Sequence, residues 1–317
     1  MPQPIVETCM SMDHVRARFI GLFLVIALGG CGSAPGPIRT SADDNFSEQA
    51  VKFPGKDVAL AGVLFTPTTP LAPGRKRPAI VLAHGCGGMN DSRGNLAARH
   101  RDWAERFARW GYVALLVDSF GSRGFGAICD LNVKERPANP WTVRTSDAYA
   151  ALDHLANRAD VDTSNVFILG WSHGGSTVMG VVRANAIAGR AATAPHFKAA
   201  IAFYPGCLSP LAQKQYVPTM PLLILHGEAD DWVPAAPCVE LAERLKRARF
   251  PVQTITYPGA LHGFDAPAMP VRHLPNVYNP QVPGERGARI GTHEPSRLKA
   301  IEETKRFIEH YRTATRA

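Results

Sequence analysis

A serine, an aspartate and a histidine stand in this chain where acyl-transfer chemistry would need them. Gly170-Trp171-Ser172-His173-Gly174 follows an apolar run at 166–169 and opens a helical pattern. This is the G-x-S-x-G spacing of a nucleophile elbow, a sharp strand-to-helix turn that holds a serine in strained backbone with its hydroxyl above a sheet. The flanking glycines leave room for neighbouring backbone. The N–H of His173 points outward at a helix N-terminus, where negative charge is favoured. A Gly/Ser turn can produce the same letters; what makes the motif specific is its place between this strand and this helix. A serine hydroxyl is a poor nucleophile without a base. The run 222–225 leads into His226-Gly227-Glu228-Ala229-Asp230-Asp231-Trp232, and the run 252–257 leads into Pro258-Gly259-Ala260-Leu261-His262-Gly263-Phe264. Along the chain this gives nucleophile, acid, base. Asp230 is therefore expected to orient His262, and His262 to take the proton of Ser172. Asp231 and Glu228 are rivals for the acid.

An oxyanion needs a second donor. His84-Gly85-Cys86-Gly87-Gly88 follows an earlier apolar run at 79–83. Its glycines allow close approach to a carbonyl, so the backbone N–H of Cys86, or that of Gly87, is the expected partner to His173. A Cys86 thiolate is the competing use of that residue, but the elbow already carries a serine. His84, His173 and His226 cluster near strand ends without H-x-x-H or H-E-x-x-H spacing. His84 and His226 read as turn-stabilising residues, and no metal or cofactor is expected.

These residues must be held by an alternating scaffold. The sequence predicts strands at 51–53, 58–65, 79–83, 112–117, 166–169, 199–204, 222–225 and 252–257. It predicts helices at 96–110, 145–158, 174–188, 236–249 and 296–311. Gly111 stops the first helix. The strands are continuous apolar runs rather than alternating ones, as in parallel sheets covered by helices on both faces. Ligand sites in such sheets lie at the carboxyl ends of the strands, where every residue named above falls.

The chain has 317 residues, of which 45% are apolar and 20% charged, ample for one large α/β domain. Its formal charge of +8 is spread along the chain, so nucleic acid is not an expected partner. Residues 1–30 read differently. Arg16 and Arg18 precede an apolar run at 19–28, then Gly29-Gly30-Cys31. This is the pattern of a bacterial lipoprotein signal peptide, with Cys31 acylated as the new N-terminus and 31–50 as a flexible tether. The expected localisation is an exported lipoprotein on the periplasmic face of a membrane, attached only through that lipid. An ordinary secretory signal, giving a soluble periplasmic or secreted protein, is the alternative. The catalytic domain is then 51–317.

From about residue 52 to the C-terminus the chain resembles the dienelactone hydrolase family of α/β-hydrolases. The resemblance rests on His84-Gly85-Cys86-Gly87-Gly88, Asp118-Ser119-Phe120-Gly121-Ser122-Arg123-Gly124, the elbow at Ser172, Gly227-Glu228-Ala229-Asp230 and His262-Gly263-Phe264. It implies the α/β-hydrolase fold and hydrolysis of a small ester or lactone. The namesake enzymes carry cysteine where this chain has Ser172, which favours a general carboxylesterase. A serine exopeptidase of the prolyl-oligopeptidase type and a non-catalytic envelope lipoprotein with this fold are the alternatives. Trp171, Trp232 and Phe264 are candidate substrate contacts. Arg123 is either a substrate-carboxylate fork or a loop anchor. The stretch 267–295 has no placed counterpart and reads as a partly ordered loop near His262. Export to an oxidising compartment favours disulfides. Strands expected to be close in this fold pair Cys86 with Cys129 and Cys207 with Cys238.

Overall fold

The computed structural model describes residues 39–40 and 45–313. The predicted signal peptide, Cys31 and most of the predicted tether lie outside them. Strands β1 (Arg39–Thr40), β2 (Phe46–Pro54) and β3 (Ala59–Pro67) are followed by β4 (Arg77–Ala83), α1 (Ala98–Arg109), β5 (Val113–Asp118) and α2 (Val143–Ala156). Then come β6 (Val161–Trp171), α3 (His173–Val181), β7 (Ala200–Phe203), α4 (Leu208–Ala212), β8 (Leu222–Gly227), α5 (Ala236–Arg247) and β9 (Val252–Tyr257). A hairpin of β10 (Arg272–Tyr278) and β11 (Arg286–Ile290) precedes the closing helix α6 (Glu294–Thr313).

The main sheet has nine strands in the order β1-β2-β3-β5-β4-β6-β7-β8-β9. From β5 to β9 all neighbours are parallel, and β1, β2 and β3 add on antiparallel. The continuous apolar runs are explained by burial on both faces. Ala79 and Val81 of β4 and Val113, Leu115 and Val117 of β5 join one core with α2, α3 and α5. The alternate residues Ile80, Leu82, Ala114 and Leu116 join a second core with α1 and α6. Helix α1 shows how sequence sets this packing. His100, Trp103, Ala104, Phe107 and Ala108 recur at helical spacing and are buried, while Arg106–Asp102 and Arg109–Glu105 pair on the wet face. Gly111, at φ +90°, ends it with its N–H on the Ala108 carbonyl. Truncating Phe107 would cost about 3–5 kcal/mol, because that aromatic fills the space between α1 and the sheet.

The chain leaves β4 for β5 on one side and returns past β4 to β6 on the other. Strand order therefore reverses at β4, and the crevice at its carboxyl end is where such sheets bind ligands.

Three expectations are corrected. Ordered structure starts before residue 51: β2 begins at Phe46, inside the stretch read as tether, because Phe46 is buried 5.8 Å from Phe65 and pairs in register with β3. Helix α3 ends at Val181, short of residue 188, because the chain there is captured by the 218–219 segment. Arg183 bridges Pro218, and Thr219 N–H donates to the Val182 carbonyl. The stretch 267–295 holds a β-hairpin rather than a loop; Arg272, Pro275, Arg286, Gly287 and Arg289 interrupt its strands, so neither leaves a continuous apolar run.

Candidate active site

Ser172 sits between the end of β6 and the start of α3 with φ +53° and ψ −113°. Few non-glycine residues adopt positive φ, and the surroundings must hold it there. Ser172 N–H donates to the Phe203 carbonyl of the neighbouring β7, and its own carbonyl accepts from Ser176 N–H. The turn is too tight for side chains on its glycines. A Cβ on Gly174 would lie 1.9 Å from the Ala83 carbonyl oxygen, and one on Gly170 would lie 2.2 Å from the Gly174 oxygen.

Asp230 and His262 come from the loops after β8 and β9. His262 Nδ1 donates to Asp230 Oδ2 at 2.7 Å, and both residues are buried. The other carboxylate oxygen accepts from Trp232 N–H at 3.0 Å and Val233 N–H at 2.9 Å. Burial alone would push the Asp230 carboxyl up. The charge and hydrogen bond of His262, with His226 4.0 Å away, outweigh it and hold the carboxyl below its usual range. The His262 ring lies between Tyr204 and Trp232, at 4.4 and 4.8 Å between centroids. No hydrogen bond joins Ser172 Oγ to His262 among the described residues, and such contacts commonly tighten only around a bound substrate.

The rivals for the acid are occupied elsewhere. Asp231 takes Arg289 Nε at 2.7 Å and Arg289 N–H at 3.0 Å, tying the loop to β11. Glu228 accepts from the Thr256 hydroxyl on the surface.

The turn after β4 packs beside the elbow, with Gly85 against Trp171 and Ser172. Among the described residues the backbone N–H groups of Cys86 and His173 donate to no protein acceptor. His84 is fully buried, its Nδ1–H on the Gly85 carbonyl, so it braces this turn. Burial, then the nearby Arg144 charge, push the His84 imidazole well below its usual range. Disulfides join Cys86 to Cys129 and Cys207 to Cys238, the pairing expected from the sheet. The first is reinforced by Ile128 N–H on the Cys86 carbonyl, so the loop after β5 is fixed to the turn.

A cavity of about 240 Å³ opens over Ser172. Trp141, Trp232, Val233, Tyr278 and the Cys86 and Cys207 ends of the two disulfides give it an apolar lining, with Arg136 and Gln281 among the polar groups. Trp232 thus faces the cavity, held by its indole N–H on the Tyr278 carbonyl at 2.9 Å. Trp171 and Phe264 do not line it. Both are fully buried on the opposite side, as strand alternation turns Trp171 away from Ser172. Arg123 is the loop anchor of its two readings. It forks onto Asp147 at 2.8 and 2.9 Å, binds Asp57 and donates to the Ser119 carbonyl.

Several residues escaped sequence reasoning. Asp265, fully buried, accepts from Trp103 and Trp171 indoles at 2.9 and 2.8 Å and from the Tyr204 hydroxyl at 2.5 Å. Arg136 lines the cavity; among the described residues it donates only to the carbonyls of Leu131 and Cys129, and burial pushes its guanidinium pKa down to about 10. Arg144 and the hairpin residue Tyr278 also went unremarked. No group of three or more His, Cys, Asp or Glu residues suited to a metal occurs among the described residues. No helix among them is long and apolar enough to cross a membrane.

A mostly parallel sheet with a strained serine elbow, an Asp–His pair and a glycine-rich turn at its carboxyl edge defines an α/β-hydrolase. The family model of the dienelactone hydrolase family matches residues 60–312, and the chain belongs to that family. Among solved structures it is similar to Thermogutta terrifontis esterase 2 phosphorylated by paraoxon (24% identity, 83% of this chain, 94% of that one, TM-score 0.57). It is also similar to a dienelactone hydrolase-like promiscuous phosphotriesterase from metagenomic libraries (17%, 84% and 99%, TM-score 0.61). The human acylamino-acid-releasing enzyme is 25% identical over 246 residues, 68% of this chain. The chain spans about a third of the length of that curated relative, 32%.

Proposed function

We propose that this protein is a serine hydrolase that cleaves a small carboxylic ester or lactone through an acyl-enzyme on Ser172. The observation that carries this reading is the left-handed backbone of Ser172 on the cavity floor, since a serine is otherwise a poor choice for strained backbone. His262 takes the Ser172 proton as Oγ bonds to the ester carbonyl carbon. The carbonyl oxygen becomes an oxyanion and accepts from the Cys86 and His173 N–H groups. Asp230 stabilises the imidazolium and fixes its tautomer. The imidazolium then protonates the departing alkoxide as its bond to the acyl carbon breaks. Water, deprotonated by His262, releases the acid and restores Ser172. The apolar, aromatic cavity suits a small hydrophobic acyl or alcohol group.

A fluorophosphonate probe should label Ser172, and Ser172→Ala should lose both labelling and p-nitrophenyl ester hydrolysis, the latter by about 10⁶-fold in kcat. Wild-type rates in that variant would overturn the reading. Peptidase activity is the second reading, supported by similarity to the acylamino-acid-releasing enzyme. Release of acyl-amino acids from peptides faster than p-nitrophenyl esters would favour it. We also propose lipid attachment at Cys31 and residence on the periplasmic face of a bacterial membrane, on the strength of the leader pattern. Cys31→Ser protein that stays membrane-bound would refute the anchor.

A further inference from the structure

Behind the two oxyanion donors lies a guanidinium that the reaction above does not use. Arg144, in the first turn of α2, is 1% exposed. Its Nη2 donates to the His84 carbonyl at 2.7 Å, and its Nη1 donates to His173 Nδ1 at 2.8 Å. Its Cζ lies 4.9 Å from the centre of the Phe120 ring. One of these acceptors belongs to the turn that presents the Cys86 N–H, and the other to the residue whose own N–H is the second donor.

The chemistry of the pair is restrictive. A guanidinium has no acceptor, so His173 Nδ1 must accept and Nε2 must carry the ring proton. Burial, then the charge of Arg144, keep this imidazole neutral, as they do that of His84. No carboxylate lies within 4.0 Å of Arg144 among the described residues. Asp118 and Asp147 act on it from farther off; Asp147 is forked by Arg123, and Asp118 accepts from the N–H groups of Phe120 and Gly121. The charge of Arg123 opposes it. A buried cation without a close counter-charge is costly, and its retention calls for an explanation.

We propose that Arg144 is a positioning residue for the oxyanion hole. Its planar fork ties the β4 turn to the elbow, so that the Cys86 and His173 N–H groups keep a fixed separation. Its charge stands behind them, where the carbonyl oxygen turns negative in the tetrahedral intermediate. The transient anion is the counter-charge that the resting site lacks. The proposal rests on ester hydrolysis at Ser172.

The test compares Arg144→Met and Arg144→Lys with wild type in the full, disulfide-bonded chain. Readouts are steady-state hydrolysis of a p-nitrophenyl ester, inhibition by a trifluoromethyl ketone that forms a tetrahedral adduct on Ser172, and inhibition by the product carboxylate. Loss of the fork in Arg144→Met should lower kcat by about 100-fold with KM within about threefold, as for loss of an oxyanion donor. Ketone affinity should fall in step with kcat/KM while product affinity holds. Lysine keeps the charge but not the two-pronged geometry, so Arg144→Lys should fall between. If the methionine variant does not fold, the lysine variant carries the same comparison. A kcat within about threefold of wild type overturns the proposal, since a positioned donor is worth far more. So does product affinity falling as much as ketone affinity, which marks general loosening of the site. Wild-type protein that neither hydrolyses esters nor is labelled at Ser172 refutes the hydrolase reading itself. An active wild type with kinetically silent variants refutes only the role of Arg144.

Discussion

Two buried carboxylates flank the aromatic wall around His262, and they do opposite things. Asp230, in the loop after β8, gives one oxygen to His262 and the other to two backbone N–H groups. Asp265, in the loop after β9, gives its oxygens to two indoles and a phenol and lies 3.6 Å from Arg99. The first is wired to an imidazole, the second to two indoles, a phenol and a nearby guanidinium. Both are buried, and under the proposed hydrolysis the partner decides whether a carboxylate serves chemistry or architecture.

The sharpest way to break this comparison is at Asp230. Asp230→Asn should keep the backbone N–H bonds but lose the imidazole tautomer, reducing kcat by about 10⁴-fold. Steady-state kinetics beside a thermal melt would show activity gone and fold retained. At Asp265 the pattern should invert. Asp265→Asn leaves at least one buried donor among Trp103, Trp171 and Tyr204 facing an amide N–H, for a loss of about 2–4 kcal/mol in urea unfolding. Its kcat per folded molecule should stay within about tenfold, as that carboxylate touches no reacting group. Equal loss of activity in both variants would erase the distinction.

Acid should sharpen it further. His226, beside Asp230, is lowered to about 4 by burial, with Asp230 opposing. The unfolded chain binds a proton on this imidazole below about pH 6.5, whereas the folded chain resists until about pH 4. Stability is therefore full above the unfolded value and declines as pH falls between the two, by roughly 3 kcal/mol for this group. The Asp230 carboxyl, itself held low, adds stability that is complete above its unfolded value and lost only as pH falls through its lower folded one. His226→Gln should flatten the pH dependence of urea unfolding above pH 4; an unchanged slope would place the acid sensitivity in the other buried imidazoles, His84, His100 and His173. The smallest effect belongs to Asp231→Asn. It weakens the exposed tie to Arg289 and should change kcat by less than about threefold and stability by under about 1 kcal/mol.

Asp230 was legible in the sequence and Asp265 was not, for a physical reason. Parallel strands bring their carboxyl ends to one edge, so a residue just past a strand end is located by counting along the chain. Ser172, Asp230, His262 and the Cys86 turn are all of that kind. The role of Asp265 depends on Trp103, 162 positions away, and Trp171, 94 positions away. Arg144 likewise acts on His84, 60 positions earlier, from the first turn of a helix. Trp171 and Phe264 were misread because adjacency to Ser172 and His262 along the chain says nothing of which way a side chain turns. The hairpin at 272–290 was hidden by its Pro, Gly and Arg content, which imitates a loop while supplying Tyr278 to the cavity.

The contact of Gly174 with the end of β4 has a mechanical consequence. Between the elbow and the turn after β4 there is no layer of side chains to compress; backbone meets backbone, with no space for even a methyl group. A joint made of side chains yields by rotamer hops, whereas one made of peptide planes yields only by bending the sheet. The two segments should therefore move as one stiff body, so that warming the protein widens the gap between the Cys86 and His173 amides far less than it loosens the surrounding loops. A displacement of about 1 Å at such a site can cost about 100-fold in rate. The missing Cβ of a single glycine thus sets how closely the two segments can approach, and the Arg144 fork holds them at that approach.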